Sequence, residues 1–148
     1  MIADIFDIFI LECAITEVRP NTRIMGGIQS VPHSWPSNVL LIQSYKGYYD
    51  LRPLAPSNRT LISVEFRCGG TLISTDVVLT AAHCIVKEFD YYIFGYVYSL
   101  TIKLNEFFPT MESMFSVYLG VHDSSFLRSN QQLPPTVSKL GLSKITIV

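Results

Sequence analysis

Apolar and polar residues alternate over short spans in this chain, and no long stretch repeats at the helical period of 3.6 residues. The cleanest case is Leu61 to Arg67. Ile62, Val64 and Phe66 fall on one side, and Ser63, Glu65 and Arg67 on the other, which predicts a half-buried strand. Asn38 to Tyr45 predicts another strand. Lys46 to Thr60 then reads as a polar, proline-containing excursion. Gly69-Gly70 permits a close backbone approach. Thr71 to Ser74 and Val77 to Thr80 predict two short strands across a Ser-Thr-Asp turn. Phe115, Val117, Leu119 and Val121 alternate with Ser116, Tyr118 and Gly120, and Leu142 to Val148 is a last strand. Short strands, regular turns and little helix argue an all-β barrel or sandwich.

Two segments stand apart from this pattern. Residues 1–23 read as a leader and pro-segment that ends on a polar run, Val18 to Arg23, with a helix-breaking Pro20. Asp4 and Asp7 interrupt the apolar stretch Met1 to Leu11 and nothing basic precedes it, so it does not read as a signal peptide. Residues 85–114 are dense in Tyr and Phe, with no turn chemistry suited to an exposed loop. The expectation for that stretch is a translated intron or gene-model error, with a real insert packing over the cleft as the second reading.

Composition narrows the classes. At 49% hydrophobic and 16% charged, the 148 residues are too apolar for a disordered chain. A net charge of -1 with no basic stripe gives a nucleic-acid partner no electrostatic support, and no polybasic run would hold an anionic membrane surface. Gly95, Ser99, Thr101 and Lys103 break the apolar run from Tyr91 to Leu104, so no membrane span is expected. No acidic cluster or His/Cys set has ligand spacing, so no metal and no cofactor are expected. The three cysteines, Cys13, Cys68 and Cys84, leave one without an intrachain partner.

Five segments carry the candidate chemistry. They are Arg23-Ile24-Met25-Gly26-Gly27, Pro32-His33-Ser34-Trp35-Pro36, Cys68 to Ser74 (CGGTLIS), Val78 to Cys84 (VLTAAHC) and Val117 to Asp123 (VYLGVHD). In this order and spacing they resemble the first half of a chymotrypsin/trypsin-type serine protease. The resemblance covers most of residues 24–148, read as a partial protease domain with the atypical insert 85–114. It implies the first of two antiparallel β-barrels, incomplete here.

The resemblance also implies roles. His83 would be the general base, a task that suits an imidazole because its ordinary pKa of about 6.5 lies near working pH. Cys68 and Cys84 match cysteines that form a disulfide. Cleavage after Arg23 would free the Ile24 amine, as in a zymogen. Cys13 is either a tether for the cut pro-segment or a free thiol. His33 reads as structural and His122 as a loop residue. Protein or peptide substrates, an activating protease and protein inhibitors are the implied partners, and secretion is the implied location. Asn58-Arg59-Thr60 would then be an N-glycosylation acceptor.

No Gly-Asp-Ser-Gly-Gly nucleophile motif occurs in the chain, and Asp76, Asp90 and Asp123 are candidate acids by residue type alone. The family order is His, Asp, Ser, so the acid and the nucleophile are expected beyond Val148. The chain alone is therefore expected to be inactive. Two other readings stand beside a serine endopeptidase: a non-catalytic protease homologue that binds a partner, and a truncated gene-model fragment.

Overall fold

The computed structural model describes residues 2–5, 31–32, 34–51, 59–93, 95–128 and 132–146, the first of these as backbone. Eight strands are present among the described residues: β1 (Ile2–Ile5), β2 (Asn38–Tyr49), β3 (Thr60–Leu72), β4 (Val77–Leu79), β5 (Glu88–Ile93), β6 (Tyr96–Thr101), β7 (Phe115–Leu119) and β8 (Ser138–Thr146). Six close into an antiparallel barrel in the order β1-β4-β3-β2-β7-β8, while β5 and β6 form a separate two-stranded sheet. Of the all-β barrel or sandwich expected from the alternation, the chain builds the barrel.

β3 keeps the alternation of its sequence, with Ile62 buried, Val64 and Phe66 half-buried, and Leu61, Ser63, Glu65 and Arg67 exposed. β2 is covered on both faces. Val39, Leu41, Gln43 and Tyr45 are buried on one side, and Ile42 is buried on the other. The barrel core joins Val39 and Leu41 to Leu72, Val78, Val117 and Leu119. On the opposite side of the wall, Ile42 and Tyr118 pack under Phe126, from a short 3-10 turn at Ser125–Arg128. Each such aliphatic side chain contributes roughly 1.5–3 kcal/mol on burial.

The excursion expected over Lys46 to Thr60 begins later than its polarity suggests. β2 runs on through Lys46, Gly47, Tyr48 and Tyr49, which pair with Ser63, Ile62, Leu61 and Thr60. The ladder supplies partners for the backbone there, and that outweighs the polar side chains.

Within the stretch 85–114, residues 88–101 form a hairpin. Ile93 pairs with Tyr96, and Gly95 turns the chain at a φ of 83°. Burial alternates along β5, with Phe89, Tyr91 and Ile93 turned inward. Leu100 packs with Leu51 and Ile62, while Ile85, Ile102, Met114 and Phe115 enclose Tyr45.

β1 lies within the segment expected to be a leader, yet its backbone pairs on both sides. Ile2, Ala3 and Asp4 oppose Leu79, Val78 and Val77 of β4, and they also oppose Thr146, Ile145 and Lys144 of β8. It thereby covers two strand edges that would otherwise be open.

One glycine is indispensable to this arrangement. Gly120 follows β7 at a φ of 72°, and a Cβ there would run into the Thr136 carbonyl oxygen. Gly120→Ala combines backbone strain with that collision. It is expected to cost about 2–3 kcal/mol, read as a lowered urea midpoint at unchanged m-value.

Candidate active site

β4 carries the chain from the barrel core to the candidate base. Val78 is buried, Leu79 faces outward, and Thr80 marks the end of the strand. A single 3-10 turn, Ala82–Cys84, follows. Cys84 N–H donates to the Ala81 carbonyl at 3.0 Å, and Ile85 N–H donates to the Ala82 carbonyl at 3.1 Å. His83 sits at the centre of this turn with its side chain exposed, while Cys84 points back into the core.

Three links fix so short a turn. Thr80 Oγ1 donates to the Gly69 carbonyl of β3 at 2.8 Å. A disulfide joins Cys84 to Cys68 of β3, with the Cα atoms 5.7 Å apart. Beyond the turn, the buried Gln43 side chain grips Val86 at both backbone groups. Its Oε1 accepts from Val86 N–H at 2.8 Å, and its Nε2 donates to the Val86 carbonyl at 2.9 Å. β3 can approach β4 this closely because residue 70 is glycine. A Cβ at Gly70 would lie 2.8 Å from Val78 Cγ1.

The structure brings some of the expected groups together and holds others apart. Cys68, His83 and Cys84 cluster, and among the described residues no acidic side chain joins them. Each candidate acid is engaged elsewhere. Asp76 accepts from Ser74 Oγ at 2.8 Å, Asp90 from Ser99 Oγ at 2.7 Å, and Asp123 from both Ser125 N–H and Ser125 Oγ at 2.9 Å. His122 lies in the bend after β7. Cys13, Arg23, Ile24, His33 and Asn58 lie outside the described residues. A cavity of about 490 Å³ opens between the far end of β2 and residues 103–107, away from His83.

Gln43 is the positioning residue that lies outside the quoted motifs, and Thr80, within the VLTAAHC segment, is a second whose role the motif did not state. Gln43 carried one signal: it is the polar residue at an inward position in a run that is otherwise apolar on that face. Its amide satisfies both backbone groups of Val86.

The arrangement presents an exposed imidazole on a rigid support. It can accept or donate a proton at the protein surface, and among the described residues the cluster holds neither a nucleophilic hydroxyl nor an orienting carboxylate.

The trypsin family matches residues 24–144 of the chain. Chymotrypsin-C of Rattus norvegicus is 36% identical over 96 residues, 64% of this chain and 30% of that protein. Chymotrypsin-like elastase family member 3B of Macaca mulatta is 33% identical over 85 residues, 57% of this chain and 27% of that protein. Spermosin of Halocynthia roretzi is 34% identical over 117 residues, 77% of this chain and 22% of that protein. The chain thus spans less than a third of the length of these relatives. No solved structure matches it.

Two substitutions test the anchoring of the turn. Gln43→Leu leaves the Val86 N–H and carbonyl unpaired and is expected to cost about 2–4 kcal/mol in chemical denaturation. The double change Cys68→Ala with Cys84→Ala is expected to cost about 3 kcal/mol, measured in the same way.

Proposed function

Because the chain belongs to the trypsin family, we propose that it supplies the general-base half of a serine endopeptidase site, with His83 as the base. The observation that carries this reading is the placement of His83. It is exposed at the end of a barrel strand, on a turn tied to β3 by the Cys68–Cys84 disulfide. A proton-transfer group must be held to within about an ångström of its partner, and a base on a mobile loop would lose much of its rate advantage.

In this reading a serine hydroxyl docks against His83 and attacks a peptide carbonyl as the imidazole takes its proton. The resulting imidazolium then protonates the leaving amine. The nucleophile, the orienting carboxylate and the oxyanion donors come from sequence outside residues 1–148. The substrates are proteins or peptides. Cleavage after Arg23 by an activating protease frees the Ile24 amine, and protein inhibitors approach the same face. The disulfide and the family together favour an extracellular setting.

The segment 85–114 is a true part of the fold in this reading. Its hairpin buries Leu100 and Ile102, and it shelters Tyr45. This packing supports a real insert over a gene-model error. Detection of a peptide spanning residues 88–103 in native protein is the expected outcome.

Activity is tested on two proteins. The 148-residue chain is expected to show no labelling by a fluorophosphonate and no peptide hydrolysis. In the product of the full transcript, His83→Ala is expected to lower kcat about ten-thousand-fold while the fold is retained. Labelling of the short chain, or a full-length His83→Ala enzyme with wild-type turnover, would refute the assignment. A full-length product with no serine in the nucleophile motif would make the protein a binding homologue instead.

A further inference from the structure

Cys68, His83 and Cys84 each offer one ligand atom, and these atoms all lie within 4.8 Å of one another. We propose that, when the Cys68–Cys84 disulfide is reduced, the two thiolates and the His83 imidazole hold a single Zn²⁺ ion, with water in the fourth position. Two thiolates and an imidazole make a donor set suited to zinc, and three protein ligands with one open position is a recurring zinc arrangement. Zinc takes sulfur at about 2.3 Å and nitrogen at about 2.0 Å, which sets tetrahedral ligand atoms roughly 3.5–4 Å apart. In the disulfide the two sulfurs are bonded to each other, and on reduction they part toward that span from Cα atoms only 5.7 Å apart, with the imidazole within 4.8 Å of both.

Burial is graded across the cluster: Cys84 is buried, Cys68 half-buried and His83 exposed. The sulfurs are sheltered, and the imidazole side opens to solvent. That opening gives the ion a path in and the fourth ligand a place. Among the described residues no carboxylate belongs to the cluster. One Zn²⁺ and two thiolates are electrically neutral together, which limits the cost of placing charge in a half-buried site.

The chemistry is a two-electron exchange followed by metal binding. A dithiol reductant delivers two electrons and two protons to the cystine, yielding two thiols, and closes into its own disulfide. Zinc then displaces both thiol protons to solvent. The two states exclude each other, because sulfurs joined in a disulfide are not thiolate donors. A zinc-bound His83 nitrogen has no lone pair left for a proton. The metal state is therefore also one in which the base is silenced, a consequence that rests on the protease reading, whereas the site itself does not.

The test uses the whole chain carrying Cys13→Ser, which removes the third cysteine. It is reduced with a trialkylphosphine, titrated with Zn²⁺ against a chromophoric chelator, and titrated separately with Co²⁺. One Zn²⁺ per chain is expected, bound about a hundredfold more tightly than by the oxidised chain. Co²⁺ is expected to show sulfur-to-metal charge transfer and the intense visible bands of a tetrahedral ion. His83→Ala should weaken zinc about tenfold or more while keeping the sulfur band, and Cys68→Ser should abolish tight binding. Equal affinity in the reduced and oxidised chains overturns the proposal. So does a His83→Ala chain with undiminished affinity, or a reduced chain that loses its sheet circular dichroism with Zn²⁺ present.

Discussion

The Cys68–Cys84 disulfide joins a thirteen-residue strand to a three-residue turn, and the candidate site depends on that join. A turn with two internal hydrogen bonds has little stability of its own. Its geometry must be imposed by what it is fastened to. β3 does this at two neighbouring positions, through Cys68 and through the Gly69 carbonyl that accepts from Thr80. β2 does it from the other side, through Gln43 and Val86. Because β2 and β3 pair over twelve residues, the three fastenings act as one rigid frame. The imidazole is exposed, yet its backbone is held as firmly as a core residue.

The frame explains which parts of the structure could be read in the sequence. β3 was legible because one face is buried and the other wet, so its residue types alternate with the pleat. The far half of β2 was not. Lys46, Gly47, Tyr48 and Tyr49 look like loop residues, and only pairing with Ser63 to Thr60 makes them strand. The hairpin at residues 88–101 hid its turn in a lone Gly95 among aromatic residues. β1 was the least legible of all. Its role follows from partners 73 or more positions away along the chain, and local polarity carries no trace of them.

The site divides in the same manner. His83 and the paired cysteines stand in a compact motif and were legible by resemblance. Gln43 was not, since a glutamine within an apolar run signals burial only when its backbone partners are known. The clustering of Cys68 with His83 was hidden by fifteen positions of separation, because the hairpin-like return of β4 along β3 brings them together. A spacing rule written for contiguous ligand pairs misses a site assembled across a ladder.

That ladder also places opposite demands on one pair of sulfurs. Joined, they fix the His83 turn and leave the imidazole free to move a proton. Parted, they leave the turn held by Thr80 and Gln43 alone, and they become donors beside that same imidazole. Neither state requires the barrel to open, because the hydrogen bonds from Thr80 to Gly69 and from Gln43 to Val86 do not involve sulfur. The geometry that makes His83 a well-placed base is therefore the geometry that makes it a ligand. Which of the two it serves as is decided by the oxidation state of a bond one residue away.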